Sequence, residues 1–405
     1  MAEADVIILG GGLVGSTLAI TLDAHGLSSI VIDPADPETM LAAGFDGRAS
    51  AIAAGPQRML EAIGLGADLE GKGCAITAIR VSDGLDPGAL DFAPAADDGA
   101  LGIMYENRLL RQLLYHRASA AAQIDLRMKT RALSVDRGEA GVVALLSDGS
   151  SVRAPLLIAA EGRKSPTREA AGIRIATWNY HHNAIITAFN HERDHQQTAF
   201  EIFYPAGPFA ILPLLDDEHG HRSALVWTVS ERDAPGMLKL SDRGFLAEAS
   251  RNMGGFLGEI GNLAPRSTYP LGFHHAARIT DRRLALVGDA GHGIHPIAGQ
   301  GLNLGFRDVA TLVEVLVEGK RLGLDLGDPQ VLTRYERWRG VDTLMVAVAT
   351  DGLNRLFGIP GKAASAVRRF GLSAVEKLLP LKARFMAEAR GESGDLPRLL
   401  QGAMA

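Results

Sequence analysis

Short apolar runs and a stretch with helical spacing alternate at the start of the chain. Residues 5–9 and 29–33 form apolar, β-branched runs, which are typical of strands buried inside a parallel sheet. Residues 13–25 have the spacing of a helix and are followed by Gly26, a residue type that commonly ends one. The pattern predicts a strand, a turn, a helix and a second strand, as in a βαβ unit.

The next segment mixes helical spacing with alternation of apolar and polar residues. Asp-Gly and Pro-Gly pairs separate its alternating runs, as expected of strands joined by turns. The predicted elements are helix and loop at 48–70, strands at 76–104, a helix at 107–122, and short strands at 124–160 that include a hairpin at 148–149 and a buried strand at 156–159.

The character of the chain changes near residue 175. Four alternating segments, followed by a helix at 241–253, predict an antiparallel sheet. These segments are 184–190, 199–204, 209–215 and 223–229. From residue 283 the first pattern returns, with an apolar run at 283–288 that ends in glycine and helices predicted at 304–320 and 328–352.

These elements predict an α/β fold whose Rossmann-like, nucleotide-binding layer is built from both ends of the chain. The expected division has three parts. They are a nucleotide-binding domain at 1–175 and 276–350, an inserted antiparallel-sheet domain at 176–275 to which 76–104 adds strands, and a C-terminal helical segment at 351–405.

Composition narrows the class of protein. The 405 residues are enough for a large core, and a net charge of −6 argues against a nucleic-acid binder. The single cysteine, Cys74, excludes an internal disulfide framework. The first five residues carry two acids and no base, and no apolar run reaches membrane-spanning length. We therefore expect no signal peptide and a cytoplasmic protein.

Residues 10–15 form a glycine-rich turn, with glycines at Gly10, Gly12 and Gly15 around Leu13 and Val14. In a GxGxxG motif the first glycine permits a tight turn, the second lets a pyrophosphate approach the backbone, and the third lets helix pack on strand. Asp33 closes the second predicted strand, where a carboxylate can accept hydrogen bonds from ribose hydroxyls. The turn predicts a dinucleotide site but leaves NAD and FAD open, with a purely structural turn as the alternative.

A second glycine-rich stretch follows the strand at 283–288. Asp289 is placed to bind a polyol such as a ribityl chain, and Pro296 with residues 299–301 predicts an exposed turn before a helix. The start of a helix attracts anions, including the negative ring of a reduced flavin. A structural loop is one alternative, and a metal site at His292 and His295 is another, for which the neighbouring sequence lacks a further ligand.

The stretch GDAGHGIHPIAGQGLNLGFRDV resembles the second FAD motif of group A flavin monooxygenases, and most closely that of the ubiquinone-biosynthesis hydroxylases, whose pattern is near GDAAHxxHPxxGQGxNxGxxD. Five further segments are similar to that family in the same order. They are GGGLVG, DGRASAIAAG with Arg48, MYENRLLRQLL with Asn107 and Arg108, FYPAGPFAILPL followed by ALVW, and the C-terminal LPLKARFMAEARGESGDLPRLL.

The resemblance implies a para-hydroxybenzoate-hydroxylase-like fold that binds FAD non-covalently. Residue by residue, it implies that the ADP half of FAD contacts the turn at 10–15 and Asp33, and that two arginines contact the phosphates of the cofactor or neighbouring atoms. It also implies that the second motif binds the ribityl chain and the isoalloxazine. The residues given these last roles are Arg48, Arg108, Asp289, Pro296, Gly299, Gln300, Gly301, Leu302 and Asn303.

The activity implied by the resemblance is FAD-dependent hydroxylation of an aromatic ring, with NAD(P)H and O₂ as co-substrates and a flavin C4a-hydroperoxide as the oxygen donor. The implied substrate is a polyprenylated phenol of ubiquinone biosynthesis, and a ubiquinone-biosynthesis complex is an implied partner. No residue is assigned a catalytic role, because the flavin carries the chemistry. The apolar segments 203–204 and 209–214 are candidate walls of the substrate cavity, or ordinary core.

Two departures from the family pattern stand out. Asp33 occupies a position where many relatives have Glu, and Glu161 occupies one where the family has Asp before glycine, in a motif associated with FAD and NAD(P)H. Two other functions stay open on the same residues. One is hydroxylation of a soluble aromatic compound, or another flavin-dependent reaction, and the other is a non-catalytic flavoprotein subunit.

The tail is basic. Residues 355–390 contain eight Lys or Arg and two Glu, a net charge of +6, with apolar residues between the basic ones. Such a segment can lie on an anionic membrane surface, which would suit a substrate with a polyprenyl tail. The alternative is a helix packed on the body of the protein with its basic face in solvent.

Overall fold

The computed structural model describes residues 2–42, 44–85, 90–94, 99–293, 300–340 and 379–405. In these ranges the strands are, in chain order, β1 (Ala2–Glu3), β2 (Val6–Leu9), β3 (Ser29–Ile32), β4 (Ala49–Ala53), β5 (Cys74–Ile76), β6 (Ala78–Asp83), β7 (Leu90–Phe92), β8 (Gly102–Glu106), β9 (Ile124–Arg127), β10 (Ala132–Gly138), β11 (Gly141–Leu146), β12 (Ser151–Ala154), β13 (Leu156–Ala159), β14 (Ile175–His191), β15 (Thr198–Tyr204), β16 (Gly207–Asp217), β17 (Gly220–Ser230), β18 (Ile260–Gly261), β19 (Ser267–Ala276), β20 (Thr280–Asp281), β21 (Leu284–Leu286) and β22 (His292–Gly293).

The helices of the same ranges are α1 (Leu13–Ala24), α2 (Pro37–Ala42), α3 (Ala54–Leu60), α4 (Gly66–Leu69), α5 (Asn107–Ala120), α6 (Pro166–Ala170), α7 (Ala234–Lys239), α8 (Asp242–Met253), α9 (Gln300–Arg321), α10 (329–340) and α11 (Leu379–Ala389). A π-helical turn, Glu61–Leu65, joins α3 to α4. Shorter 3₁₀ turns lie at Gly288–Ala290 and Arg398–Gln401.

A six-stranded sheet in the order β20-β21-β13-β2-β3-β9 forms the first layer, and it is parallel except at the β20 edge. The strands β2, β3 and β13 are buried at every position, which explains their continuous apolar runs. Helix α1 packs against α5 and α9, and a four-stranded sheet, β1-β12-β11-β10, adds side chains to the same core. The predicted βαβ beginning and the strands at 156–159 and 283–288 are confirmed.

A nine-stranded sheet in the order β22-β19-β14-β17-β16-β15-β6-β7, with β18 beside β14, forms the second layer. It is antiparallel apart from the parallel pair of β15 and β6. All four strands predicted between 184 and 229 lie in it, and β6 and β7 come from the segment 76–104. Helix α8 covers one side of this sheet, where Phe245 packs with Phe209 and Trp227.

Residues 49–53 correct one prediction, because the expected helix and loop at 48–70 begins with a strand. This strand, β4, pairs with β8, which also pairs with β5, in a three-stranded sheet. The helix expected at 328–352 is described only as far as residue 340, and residues 351–378 of the predicted C-terminal segment also lie outside the described residues. None of the described helices combines the length and the apolar character needed to cross a membrane.

The last residues of the chain return to the first layer. Leu399 and Leu400 are fully buried in its core. Arg58 donates to the Leu400 carbonyl at 3.0 Å and pairs with Glu392 at 2.8 Å. The end of the C-terminal segment is therefore part of the folded body of the protein.

Candidate cofactor and substrate site

The first glycine turn is held by backbone contacts that leave no room for side chains at two of its glycines. Gly10 has a φ of +101°, and a Cβ there would lie 2.5 Å from the Ala160 carbonyl oxygen. A Cβ at Gly15 would lie 1.9 Å from the Gly10 carbonyl oxygen. At Gly12 a Cβ would meet nothing within 4 Å, so this glycine opens the backbone to a ligand.

Helix α1 begins directly at this turn. Its N-cap is Gly12, and no side chain caps it. The N–H groups of its first turn, from Leu13 and Val14 onward, are consequently available to an anion, and the helix dipole adds positive potential at the same point. This is the arrangement that a pyrophosphate requires, and it fits the ADP half of FAD.

Asp33 lies against the turn, although its first role is structural. Its Oδ2 accepts a hydrogen bond from the Gly11 N–H at 2.6 Å, and its Oδ1 accepts one from the Ala35 N–H at 2.7 Å. Each carboxylate oxygen has further lone-pair capacity for a hydroxyl. The carboxylate thus fixes the glycine turn, and its expected contact with a ribose remains a prediction.

Two adjacent cavities meet at this turn. The first, of about 680 Å³, is lined on one side by Gly12, Leu13, Val14 and Asp289. The second, of about 710 Å³, is lined by residues that include Gly10, Asp33 and Glu161. Gly12, Ala160 and Gly162 belong to the walls of both. An elongated ligand can therefore run from Asp33, past the helix start, to Asp289.

The second glycine motif packs directly on the first. A Cβ at Gly305 would lie 2.8 Å from Cγ2 of Val14, and one at Gly288 would lie 3.3 Å from the same atom. The Asp289 side chain is open to the first cavity but deep in the protein, and this burial raises the pKa of its carboxyl, with His292 and Arg163 acting in the opposite direction. A carboxylate that is exposed to a cavity and surrounded by protein suits hydrogen bonds from a polyol.

A buried network holds the turn that carries Asp289. Oδ2 of Asp308 accepts hydrogen bonds from the Gly288 N–H at 2.8 Å and from Nε2 of His292 at 2.6 Å, and its Oδ1 accepts one from Nε of Arg339 at 2.7 Å. Burial alone would raise the pKa of Asp308, but His292 and Arg339 outweigh it and lower that pKa. The sequence prediction missed this network, for which Asp308 at the end of the second motif was the available signal.

The start of α9 contributes the remaining described part of the second motif. Gly301 and Leu302 line the first cavity. The side-chain amide of Asn303 is engaged by β4, because its Oδ1 accepts from the Ala53 N–H and its Nδ2 donates to the Ala51 carbonyl, both at 2.9 Å. Pro296, Gly299 and His295 lie outside the described residues, as does the side chain of Gln300.

The two predicted arginines occupy different places. Arg48 lines the first cavity and pairs with Asp46 at 2.6 Å, with about half of its side chain exposed. Arg108 is absent from the described walls of both cavities, and its Nε donates to the buried carboxylate of Glu106 at 2.6 Å. Its neighbour Asn107 lines the first cavity instead and accepts from the Ser50 hydroxyl at 2.7 Å.

Glu161, the second departure from the family pattern, lies in the wall of the second cavity. Its Oε2 accepts hydrogen bonds from the Ser165 hydroxyl at 2.6 Å and from the Thr167 N–H at 3.3 Å. These contacts direct the longer side chain to the start of α6. The carboxylate therefore shapes the loop after β13.

The far wall of the first cavity is the side of the nine-stranded sheet that faces away from α8. Ala210 and Leu212 line it, together with Ile186, Ala224 and Val226. Within the segment 209–214, Phe209 and Ile211 point the other way, into the core under α8. The side chains of this segment therefore alternate between the cavity wall and the core, because successive side chains of a strand point to opposite faces of the sheet.

Three polar side chains that the sequence prediction did not single out also line the first cavity: Arg163, Glu201 and Tyr269. Nη1 of Arg163 donates to the Gly272 carbonyl at 3.1 Å. Burial raises the pKa of Glu201 to about 8, and burial is also the main cause that raises the pKa of Tyr269 to about 12. No motif marks these residues, since each lies within an ordinary strand or loop.

Comparison with known proteins gives consistent matches over most of the chain. The family model described as FAD binding domain matches residues 3–340. The ubiquinone hydroxylase UbiL of Rhodospirillum rubrum is 48% identical over 402 residues, covering 98% of this chain and 93% of that protein. The 3-demethoxyubiquinol 3-hydroxylase of Escherichia coli is 32% identical over 394 residues, covering 96% and 98%. The crystal structure of p-nitrophenol 4-monooxygenase from Pseudomonas putida superimposes with a TM-score of 0.79 at 18% identity, covering 98% and 100%.

Proposed function

Because this chain belongs to the FAD-binding domain family, and within it to the ubiquinone-biosynthesis hydroxylases, we propose that it hydroxylates the aromatic ring of a polyprenylated phenol in ubiquinone biosynthesis. It is an FAD-dependent monooxygenase, with NAD(P)H and O₂ as co-substrates. The observation that carries the proposal is one cavity with two unlike walls. Both glycine motifs form one wall, and the apolar side of a sheet forms the other.

The residues present fit FAD. The uncapped start of α1 and the open position at Gly12 bind the pyrophosphate, Asp33 binds the ribose of the ADP half, and Asp289 binds the ribityl chain. When bound, FAD supplies the redox chemistry that transfers oxygen from O₂ to the ring. The other proposed contacts with FAD are made by Gly10, Gly15, Arg48, Pro296, Gly299, Gln300, Gly301, Leu302 and Asn303. A contact of Arg108 with FAD rests on the family resemblance alone, since Arg108 is absent from the described walls of both cavities.

The apolar wall performs the second task, which is to hold an aromatic ring and exclude water. Ile186, Leu212 and Val226 offer aliphatic side chains to a ring at the cavity surface. Water in contact with the bound cofactor would promote unproductive loss of the activated oxygen, so a dry wall favours ring hydroxylation. We assign this wall to the substrate domain at 176–275, and the glycine motifs to the cofactor domain at 1–175 and 276–350.

Genetic complementation tests the proposed pathway. Strains that each lack one ring-hydroxylation step of ubiquinone biosynthesis receive this chain, and their quinone intermediates are measured by mass spectrometry. We expect restored ubiquinone in at least one strain. A purified, FAD-loaded protein that oxidises NAD(P)H no faster with any phenol, together with failure in all strains, would instead support a non-catalytic flavoprotein subunit.

The competing substrate class is a soluble aromatic compound, and a direct rate comparison distinguishes it. NAD(P)H oxidation and product formation are measured with 2-geranylphenol and with 4-hydroxybenzoate, which lacks the prenyl chain. The proposal predicts a higher kcat/KM for the prenylated phenol. A higher value for 4-hydroxybenzoate would replace the polyprenylated substrate with a soluble one.

We also propose that the protein is cytoplasmic and contacts the membrane surface through residues 355–390, whose net charge of +6 supports attraction to anionic lipid. Deleting the tail is a poor test, since Leu399 and Leu400 belong to the core. Replacing basic residues of the tail with Glu is a better test than deletion. The residues replaced are Lys362, Arg368, Arg369 and Lys377. The matched control reverses four exposed arginines elsewhere, which are Arg232, Arg243, Arg251 and Arg282.

Co-sedimentation with phosphatidylglycerol vesicles provides the readout. Tail reversal should abolish binding at low salt, and the control should retain it. Equal binding by all three proteins would contradict the membrane contact. A ubiquinone-biosynthesis complex is proposed as a further partner, to be checked by co-purification of pathway enzymes with the full chain but not with the tail-reversed variant.

A further inference from the structure

Glu201 is a buried carboxyl group in an otherwise apolar surface. It lies in the middle of β15, opposite Ala210 of β16 and Val81 of β6. Only 7% of the residue is exposed, and it lines the first cavity beside Leu212 and Ala224. A carboxyl group in this position faces the same volume that the aromatic ring of the substrate would occupy.

Within the described ranges, no hydrogen bond or ion pair to a protein group compensates this burial. The residues beside it on both neighbouring strands, Val81 and Ala210, are apolar. The ionisable residues elsewhere in the cavity wall are Arg48, Arg163, Tyr269 and Asp289. None of them perturbs Glu201, whose pKa is raised to about 8 by burial alone. An uncompensated buried carboxyl is costly for folding, which indicates that its partner is a ligand.

We propose that Glu201 binds the ring hydroxyl of the phenolic substrate and accepts its proton during ring hydroxylation. The inference deepens the proposed function and rests on it. In the step, the phenol O–H bond breaks, an O–H bond forms at the carboxylate, and the electron pair stays on the phenolate oxygen. The ring becomes more electron-rich and more reactive toward an electrophilic oxygen. Once the new C–O bond has formed, the former phenolate oxygen is a carbonyl oxygen. The ring regains aromaticity when the C–H bond of the hydroxylated carbon breaks and its proton leaves to solvent, and Glu201 returns its own proton to the former phenolate oxygen.

The chemistry of the site suits this role. Phenols lose their proton near pH 10, so a carboxyl with a pKa of about 8 is a closer match than an ordinary one. Tyr269, across the cavity, has a pKa raised to about 12 and stays protonated, so it can donate a hydrogen bond but is not a base at neutral pH. Because Glu201 must be ionised to accept a proton, kcat/KM should rise with pH until about 8.

Binding and turnover by the FAD-loaded full chain test the assignment. The probes are 2-geranylphenol and its methyl ether, which has no hydroxyl proton to give. Binding is followed through the absorbance of the bound flavin, and turnover through the hydroxylated product. Glu201→Leu removes the carboxyl, Glu201→Gln keeps its shape, and Glu231→Gln, at an exposed site at the end of β17, is the matched control.

We expect the wild type and the Glu231→Gln control to bind the phenol about tenfold more tightly than the ether. Glu201→Leu should bind both equally. Glu201→Gln should retain part of the preference, but its kcat should fall about 10²-fold and lose the rise toward pH 8. If Glu201→Leu loses FAD, the pH profile of Glu201→Gln decides the question.

The two levels of the proposal fail in distinguishable ways. If both Glu201 variants prefer the phenol over the ether and hydroxylate it as the wild type does, the proposed role of Glu201 is wrong. The proposed hydroxylase function would be unaffected by that result. Failure of the FAD-loaded wild type to bind or hydroxylate any phenol would overturn the proposed function, and this inference with it.

Discussion

The two walls of the first cavity are built by different means. The cofactor wall, formed by the two glycine motifs, depends on close backbone packing behind it, where Gly10 and Gly15 make contacts so close that a side chain could not be accommodated. The substrate wall is made of side chains that alternate along strands, with Ala210 and Leu212 facing the cavity while Ile211 packs under α8. The first wall therefore depends on particular residues at particular positions. The second depends on apolar character, with Glu201 as its polar exception.

The largest effect is expected at Gly15, and a substitution at Gly12 provides the contrast. Gly15→Ala places a Cβ 1.9 Å from a backbone oxygen, so α1 must shift. The free energy of unfolding should fall by more than about 4 kcal/mol, with loss of FAD. Gly12→Ala should fold normally and only weaken FAD binding. Thermal unfolding measures the stability of each variant, and bound-flavin absorbance measures its FAD content. If Gly15→Ala and Gly12→Ala behave alike in both measurements, the two glycines do not have different roles.

The next effect is expected at Asp308, whose carboxylate joins three groups near Asp289. Asp308→Asn removes the buried carboxylate that pairs with the buried Arg339, and should lower the free energy of unfolding by about 3–5 kcal/mol. FAD binding should weaken too, because the Gly288 turn loses its anchor. Urea titration and flavin release measure the two effects.

Asp325→Asn is the matched control for Asp308→Asn. Asp325 is about half exposed and pairs with Arg283, so water can solvate the groups that the substitution separates, and the expected cost is smaller, about 1 kcal/mol. If Asp308→Asn and Asp325→Asn lower the free energy of unfolding by the same amount, the buried network does not stabilise the second motif.

Two adjacent residues test the alternation of the sheet wall. Ile211→Ala empties a close-packed position under α8 and should cost about 2–5 kcal/mol of unfolding free energy. Leu212→Ala removes a side chain of equal size from the cavity surface, so it should cost less while raising KM for the phenol. Chemical denaturation and steady-state kinetics provide the two readouts, and a reversed order would mean that the strand presents its other face to the cavity.

The last expected effect is a change of stability with pH at Glu201. Its pKa rises from 4.5 in the unfolded chain to about 8 in the folded one, so its contribution to stability is full below pH 4.5 and is lost as pH rises to 8. Glu201→Gln cannot titrate. Relative to wild type it should gain stability across that window, by at most about 1.4 kcal/mol per pH unit. If urea unfolding shows the same change of stability with pH in wild type and Glu201→Gln, the Glu201 carboxyl is hydrated in the folded protein.

The cofactor wall could be predicted from sequence because its signals are local. The turn at 10–15, Asp33 and Asp289 each follow a short buried strand, so spacing alone indicated where they would lie. The alternating segments at 184–229 likewise predicted their strands. Residues 49–53 were misassigned because an alanine-rich run favours helix locally, whereas its actual partner, β8, lies some fifty residues further on.

The substrate wall and the buried network could not be predicted. Both sides of the nine-stranded sheet are apolar, one against α8 and one against the cavity, so the pattern does not say which side Glu201 faces. Arg339 meets Asp308 only through the packing of α10 on α9, and an arginine in a helix ordinarily indicates a solvent-exposed face. These contacts depend on tertiary structure.

Isotope labelling tests the central claim most directly. The FAD-loaded protein is incubated with NAD(P)H and 2-geranylphenol under ¹⁸O₂, and the organic product is analysed by mass spectrometry. The account predicts a ring-hydroxylated product that carries one ¹⁸O atom. Consumption of NAD(P)H with all of the ¹⁸O recovered in hydrogen peroxide or water, and none in the ring, would contradict it.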